Sequence, residues 1–486
     1  MRTKYLFILF STITLSVLCS CGFLDINPKG EVIDEDLFEK EVGYQDALYG
    51  IYTSINSKEL YGGYISATFP EVMARNFTAK GGGVLDYMSS GRLDYAAARS
   101  TYNAVWSNMY TYIGFANNVL EKLQEHSEKE FKHYNLYKGE ALALRAMMHF
   151  DLVRLFAVDY NSSDNTAKAK AIPYVTRYSF EITPFSSVDG VYRKCIDDLK
   201  EAVNCLKEDE SLMHYPRSNA GSEFTDCRIT HINLYAAEAL LARVYWMKQD
   251  LDSAAIYAKK VIDSQLFPLR QPSDFIQPEN GVINMKETIF GLYATNYSDY
   301  CYTIFGKSNA GDMLTLAPDY ETLYVSTQGP TPDGSDLRLS AWFGSTLEVS
   351  HACMKMIAPN YLTSTDYTGS SILGVNLIRI PEMYYIMAEA LLDKDPTRAC
   401  EYFDEVIASR GMVKFANRSE GGITAEDIYI ERQKEFYGEG QQWFNMKRLK
   451  KDIKVSENIT LDGTADATYR FLLPTAEDNR NEDVNN

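Results

Sequence analysis

Met387-Ala388-Glu389-Ala390-Leu391-Leu392-Asp393-Lys394-Asp395-Pro396-Thr397-Arg398-Ala399-Cys400-Glu401-Tyr402-Phe403-Asp404-Glu405-Val406 is the stretch from which the fold can be read. Ala388 and Leu391 stand one helical turn apart, and so do Ala399, Phe403 and Val406. Steps of three and four put these residues on one face of a helix. The spacing predicts helices over 380–392 and 397–409, closely paired. A second stretch repeats the plan with smaller residues: Leu241, Ala242 and Tyr245, a polar Lys248-Gln249-Asp250 link, then Ala254, Ala258 and Val261.

Both stretches follow the spacing of tetratricopeptide helix pairs. Such pairs cannot bury their faces alone, so they must stack on each other. The same periodicity predicts helices over 36–55, 101–125, 135–157, 188–206, 229–247, 253–262 and 425–449. Residues 56–100 are broken by Gly62-Gly63, Pro70 and Gly81-Gly82-Gly83, and seven of the 15 prolines fall in 265–377. The first block reads as irregular, and the second as long loops with short strands over a helical base. The expected fold is mainly α: a helical scaffold over about 36–264 and 378–450, with tetratricopeptide-like pairs, carrying a loop-rich insertion at about 265–377.

The N-terminus has the layout of a secretory signal, with Arg2 and Lys4 before an apolar run from Tyr5 to Leu18. Leu18-Cys19-Ser20-Cys21-Gly22 looks like a bacterial lipobox, with Cys19 where a smaller residue is usual. It predicts cleavage after residue 20, a lipidated Cys21 and a leader over 21–35. The chain has 486 residues and a net charge of −18. That balance argues against nucleic acid, whose phosphates need clustered Lys and Arg. It also argues against a polybasic grip on anionic lipid. The six other cysteines (195, 205, 227, 301, 353 and 400) show no metal or disulfide framework and read mostly as small buried hydrophobes. Their disulfide status stays open.

Several segments, in order, resemble the SusD/RagB family of nutrient-binding outer-membrane lipoproteins. They are Cys21-Gly22-Phe23-Leu24-Asp25-x-x-Pro28, Val105-Trp106-x₃-Tyr110-x₂-Ile113-x₃-Asn117, and Gly139-Glu140-Ala141-x-Ala143-Leu144-Arg145-Ala146. Ala239 to Tyr245 follows, then Ile378-Arg379-x-Pro381-Glu382 and Glu431-Arg432-x₂-Glu435-x₂-Gly438-Glu439-Gly440-x₂-Trp443-Phe444. The resemblance implies one such domain over 36–486. It implies a surface-facing, lipid-anchored protein of the outer membrane and a partner, a SusC-like TonB-dependent outer-membrane barrel. Its task would be capturing oligosaccharide and handing it over; some members serve peptide uptake instead. Glu140, Arg145, Glu389 and Arg432 are expected as partly buried ion pairs that fix geometry.

No HExxH, GxSxG or complete Walker loop occurs. The reading is non-enzymatic, with a surface glycosidase and a structural adaptor as weaker alternatives. No cofactor is implied; calcium could sit in acidic loops, but no EF-hand spacing signals it. Tyrosine is abundant, 35 against 23 Phe and 4 Trp. A sugar presents CH faces and hydroxyls, so its site needs aromatic rings and short polar groups on loops. In the two loop blocks the stacking candidates are Tyr61, Tyr64, Tyr87, Tyr95, Tyr300, Tyr302 and Trp342. The hydrogen-bonding candidates are Arg75, Asn76, Arg92 and Asp312. Trp106, Trp246 and Trp443 fall on helix faces and are expected in the core.

Overall fold

The computed structural model describes residues 37–91, 93, 96–161, 165–218, 221–276, 280–308, 313–325, 336–357, 372–418 and 422–477. The expected signal, leader and lipidated Cys21 lie outside these residues. The chain divides into two compact units, Met1–Tyr44 and Gln45–Asn486. The first described helix is α1 (Glu41–Ile55).

The second unit is built on a run of long helices: α2 (Ala96–Leu123), α3 (Tyr134–Phe156), α4 (Val188–Cys205), α5 (Leu234–Met247) and α6 (Leu251–Asp263). After a long interval come α7 (Ile380–Leu391) and α8 (Pro396–Ser409). Each of these packs on the next, and α6 packs directly on α7. The two tetratricopeptide-like pairs therefore stack on each other, although more than a hundred residues of chain part them. The insertion interrupts the sequence but not the helical array.

The helix starts follow from the chain. Asn233 caps α5 by accepting the Ala236 N–H at 2.9 Å, and Asp250 caps α6 by accepting that of Ser253 at 3.1 Å. Asp395 does the same for α8 with Arg398, at 3.2 Å. Each satisfies an N–H that the first helical turn leaves unpaired. α3 is buried along nearly its whole length, as the middle of a stack must be. Trp106, Trp246 and Trp443 are all in the core.

The expected single helix over 425–449 is two: α9 (Ala425–Glu435) and α10 (Gln442–Arg448). Between them Gly438 and Gly440 take φ of 79° and 71°, the left-handed region that glycine enters without steric cost. The buried Glu71 carboxylate accepts both of their N–H groups, at 3.0 and 2.6 Å. The break is thus held by a residue from a distant loop block.

Strands are short. β1 (Phe77–Lys80), β2 (Thr288–Tyr293), β3 (Met313–Leu316) and β4 (Ile372–Arg379) are the longer ones at the insertion. β4 pairs antiparallel with β2 and with the two residues Val282–Ile283, and β1 pairs antiparallel with β3. Behind them a buried ionic cluster joins insertion to scaffold. Glu435 on α9 receives Arg338 at 3.0 Å, Arg379 at 2.6 Å and Arg410 at 2.7 Å. Arg379 and Arg410 also reach Glu287, at 3.2 and 2.8 Å. The ion pairs expected from sequence are present: Glu140 with Arg228, Arg145 with Asp198, Glu389 with Arg448, and Arg432 with Glu382.

Candidate ligand-binding face

The two loop blocks come together in the fold. In the β1–β3 ladder Phe77 faces Leu316 and Lys80 faces Met313. Ala317 extends it by donating its N–H to the Asn76 carbonyl at 3.1 Å. A second junction lies at the turn after α1. Asn56 Nδ2 donates to the Tyr293 carbonyl at 2.8 Å. Gly63 lies so close to the Tyr300 ring that a Cβ there would come within 2.8 Å of it.

Around this junction the aromatic surface is partly open. Tyr64 stacks on Phe69 with centroids 4.5 Å apart, and Lys58 Nζ lies 5.8 Å from the Tyr64 centroid. Tyr64 and Tyr300 are half-buried, and Tyr293, at the end of β2, is 59% exposed. Such rings offer apolar faces, and Lys58 and Asn56 supply donors beside them. Sequence reasoning missed Tyr293, because its exposure follows from its place at the strand end. The available signal was its position in the tyrosine- and asparagine-rich run Tyr293-Ala294-Thr295-Asn296-Tyr297.

Four sequence candidates belong to the interior instead. Tyr61 is 5% exposed and donates its hydroxyl to Asp151 at 2.5 Å; burial and that carboxylate hold the phenol well above its usual range. Asn76 is a buried strut, donating to Glu71 at 2.8 Å and accepting from Gln433 at 2.9 Å. Trp342 is 2% exposed, with the Lys355 ammonium 3.9 Å from its ring centroid. Tyr302 is buried against Gly306. The three rings among them are buried away from any sugar, because the loop blocks have cores of their own.

Arg75 is half-buried, and its guanidinium donates to the carbonyls of Ser89 and Val455 at 2.6 and 3.0 Å. It ties a loop to the strand Ile453–Ser456. Tyr87 is half-buried on the short helix Val84–Ser89. Arg92, Tyr95 and Asp312 lie outside the described residues.

A cleft of about 570 Å³ runs along α2, where Trp106, Tyr110 and Phe115 face Tyr178, Phe180 and Phe185. The sequence signal was there as Tyr178-Ser179-Phe180-Glu181-Ile182-Thr183, apolar and polar by turns. Among the described residues no cluster of three or more His, Cys, Asp or Glu could hold a metal ion. No described helix is long and apolar enough to cross a membrane. All six described cysteines are free thiols.

Comparison with known proteins places this arrangement. The family model described as "Starch-binding associating with outer membrane" matches residues 23–246, and that of the SusD family matches residues 323–484. The chain belongs to the SusD/RagB family. A SusD-like protein of Formosa agariphila is 25% identical, over 95% of this chain and 94% of its own length. A SusD-like protein of Bacteroides ovatus is 23% identical over 92% of this chain and 82% of its own. Among solved structures, a SusD superfamily protein of Bacteroides thetaiotaomicron superposes with a TM-score of 0.69 at 20% identity, covering 93% of this chain and 98% of that one. A laminarin-binding SusD-like protein superposes at 0.60 with 19% identity, covering 85% of this chain and 92% of that one. The helical array with its loop-rich insertion is thus the SusD fold.

Proposed function

We propose that the protein is a surface-exposed, lipid-anchored glycan-binding member of the SusD/RagB family. It captures oligosaccharide at the Tyr64–Tyr293–Tyr300 face and delivers it to a TonB-dependent outer-membrane barrel, without cleaving it. The carrying observation is the meeting of two distant loop blocks, with half-buried Tyr64 and Tyr300 and exposed Tyr293 beside the junction. The starch-binding, outer-membrane description of the family model supports the glycan and its site of action, and the laminarin-binding relative supports the glycan. Cys21 supplies the anchor.

Isothermal titration against a panel of plant, algal and host oligosaccharides tests the reading. Binding without release of reducing ends is expected for some member of the panel. Tyr64→Ala, Tyr293→Ala and Tyr300→Ala should each weaken it by about 0.5–1.5 kcal/mol, the worth of an aromatic contact beyond its area. A flat panel together with peptide binding would move the assignment to peptide uptake. Pull-down in detergent should recover an outer-membrane barrel.

A further inference from the structure

The cleft along α2 has two walls of different build that carry the same mixture of groups. One wall is the helix itself. Trp106, Tyr110 and Gly114 stand four residues apart and form its inner row. Ser107, Thr111 and Phe115, one residue on, form a second row that is exposed to solvent. Residues at i and i+4 share a helix face, so rings and hydroxyls run side by side along α2. The other wall is the connection between the paired strands Lys170–Pro173 and Phe185–Ser187. There Tyr178, Phe180 and Ile182 alternate with Ser179, Glu181 and Thr183.

This second wall is fixed at its base. The Tyr110 hydroxyl donates to the Pro173 carbonyl at 2.8 Å, Asn117 Nδ2 to the Val175 carbonyl at 3.1 Å, and the Tyr178 N–H to the Glu121 carboxylate at 3.0 Å. Its tip stands in water. Phe180 is fully exposed, Tyr178 and Ile182 are 49 and 70% exposed, and Phe115 on α2 is 42% exposed. Gly114 keeps the helix wall bare. A Cβ there would meet the Tyr178 ring at 3.7 Å, an ordinary contact, so the position accepts a side chain and a longer one would enter the cleft. The volume of about 570 Å³ lies within the range of about 300–1,000 Å³ usual for ligand sites.

We propose that this cleft is a second saccharide site, for neutral sugars. A pyranose turns a CH face toward a ring and hydroxyls toward its edge, and both walls offer that pairing. The hydroxyls of Ser107, Thr111, Ser179 and Thr183 can each donate and accept, as a sugar hydroxyl does. An acyl chain would take those groups and Glu181 out of water without supplying a partner. One cation lines the cleft, Arg177, and it lies 3.9 Å from Glu181, with Glu477 as a second carboxylate. That balance favours a neutral sugar over an acidic one, on a chain whose net charge is −18. The proposal rests on the saccharide-binding reading of the protein but uses none of the Tyr64–Tyr293–Tyr300 residues.

Titration of the full chain tests it, with neutral hexasaccharides of glucose, xylose and mannose, a uronate hexasaccharide, phosphatidylcholine vesicles and a Phe/Ile-rich decapeptide as probes. At least one neutral hexasaccharide should bind, and should still bind the combined Tyr64→Ala, Tyr293→Ala, Tyr300→Ala variant. In that background Tyr178→Ala and Phe180→Ala, both at exposed residues, should each weaken binding by about two- to tenfold, the worth of one aromatic contact. Gly114→Leu should abolish it and leave the urea midpoint equal or higher, because leucine is the better helix former. Saccharide binding lost entirely in the combined variant would overturn the cleft and keep the loop face. Binding unchanged in the combined variant and abolished by Gly114→Leu would support the cleft and overturn the loop face. A wild-type chain that binds no neutral hexasaccharide would overturn both. Tighter binding of the uronate in the combined variant, indifference to both Gly114→Leu and Phe180→Ala, or vesicle or peptide binding that Phe180→Ala removes would each overturn the proposal.

Discussion

Tyr61 lends its hydroxyl to the Asp151 carboxylate inside the core, where Arg154 also reaches it. Tyr61→Phe leaves a buried charged acceptor short of a donor. It should cost about 1.5–3 kcal/mol in urea unfolding and leave ligand affinity unchanged. His149 makes a second statement at this scale. Its Nε2 accepts the Val175 N–H at 2.9 Å, and its Nδ1 lies 2.9 Å from the Arg145 carbonyl, so the ring must be neutral. Burial pushes it down to about 3. Between the unfolded value near 6.5 and that folded value, the unfolded chain binds the extra proton. The stability His149 contributes is therefore whole above about pH 6.5 and is lost as pH falls toward 3. NMR of labelled histidines should show one ring that does not titrate between pH 7 and 4.5. Neither role was legible in sequence, because a tyrosine in a loop and a histidine on a helix carry no mark of burial.

Helices are where the sequence spoke most clearly. A repeat of three and four fixes which face is apolar, and α4 needs little more than Tyr192, Ile196 and Leu199 to declare itself. The α9–α10 break was hidden, since Gly438 and Gly440 matter for backbone angle rather than hydrophobicity. Gly438→Ala places a Cβ in left-handed backbone, 3.0 Å from Met356 Cε. It should destabilise the fold by about 1 kcal/mol or more, read as a lower urea midpoint. The Glu435 cluster was visible only as letters; that three arginines from three elements meet it is tertiary information. Glu435→Ala takes a shared carboxylate from three buried cations and should cost about 3–5 kcal/mol. Glu426→Ala removes an exposed partner of Lys451 and should cost under about 1 kcal/mol by the same measurement.

At the scale of the molecule, the array runs straight through the insertion from α6 to α7, and the spacing of two helix pairs was enough to foresee their stacking. The loop surface was only half foreseen. The two irregular blocks do meet, but Tyr61 and Trp342 turn inward and Tyr293 outward, and packing alone decides that. The proposed anchor, Cys21, and the proposed ligand face lie in different parts of the chain. Cys21→Ala should abolish membrane attachment, seen as protein in the soluble fraction, while the purified variant keeps the wild-type affinity for oligosaccharide.

The β1–β3 ladder has a consequence for the order of assembly. Phe77–Lys80 cannot find its partner until residues 313–316 exist, and closing so long a loop carries an entropic cost that local helix pairing avoids. Contacts this distant in sequence slow folding. At about 5–20 residues per second, a chain emerging N-terminus first leaves that strand edge unmatched for tens of seconds. The helices between can pair while it waits. The proposed ligand surface is then among the last parts to mature, and until it does its open edge is a place where two unfinished chains could join.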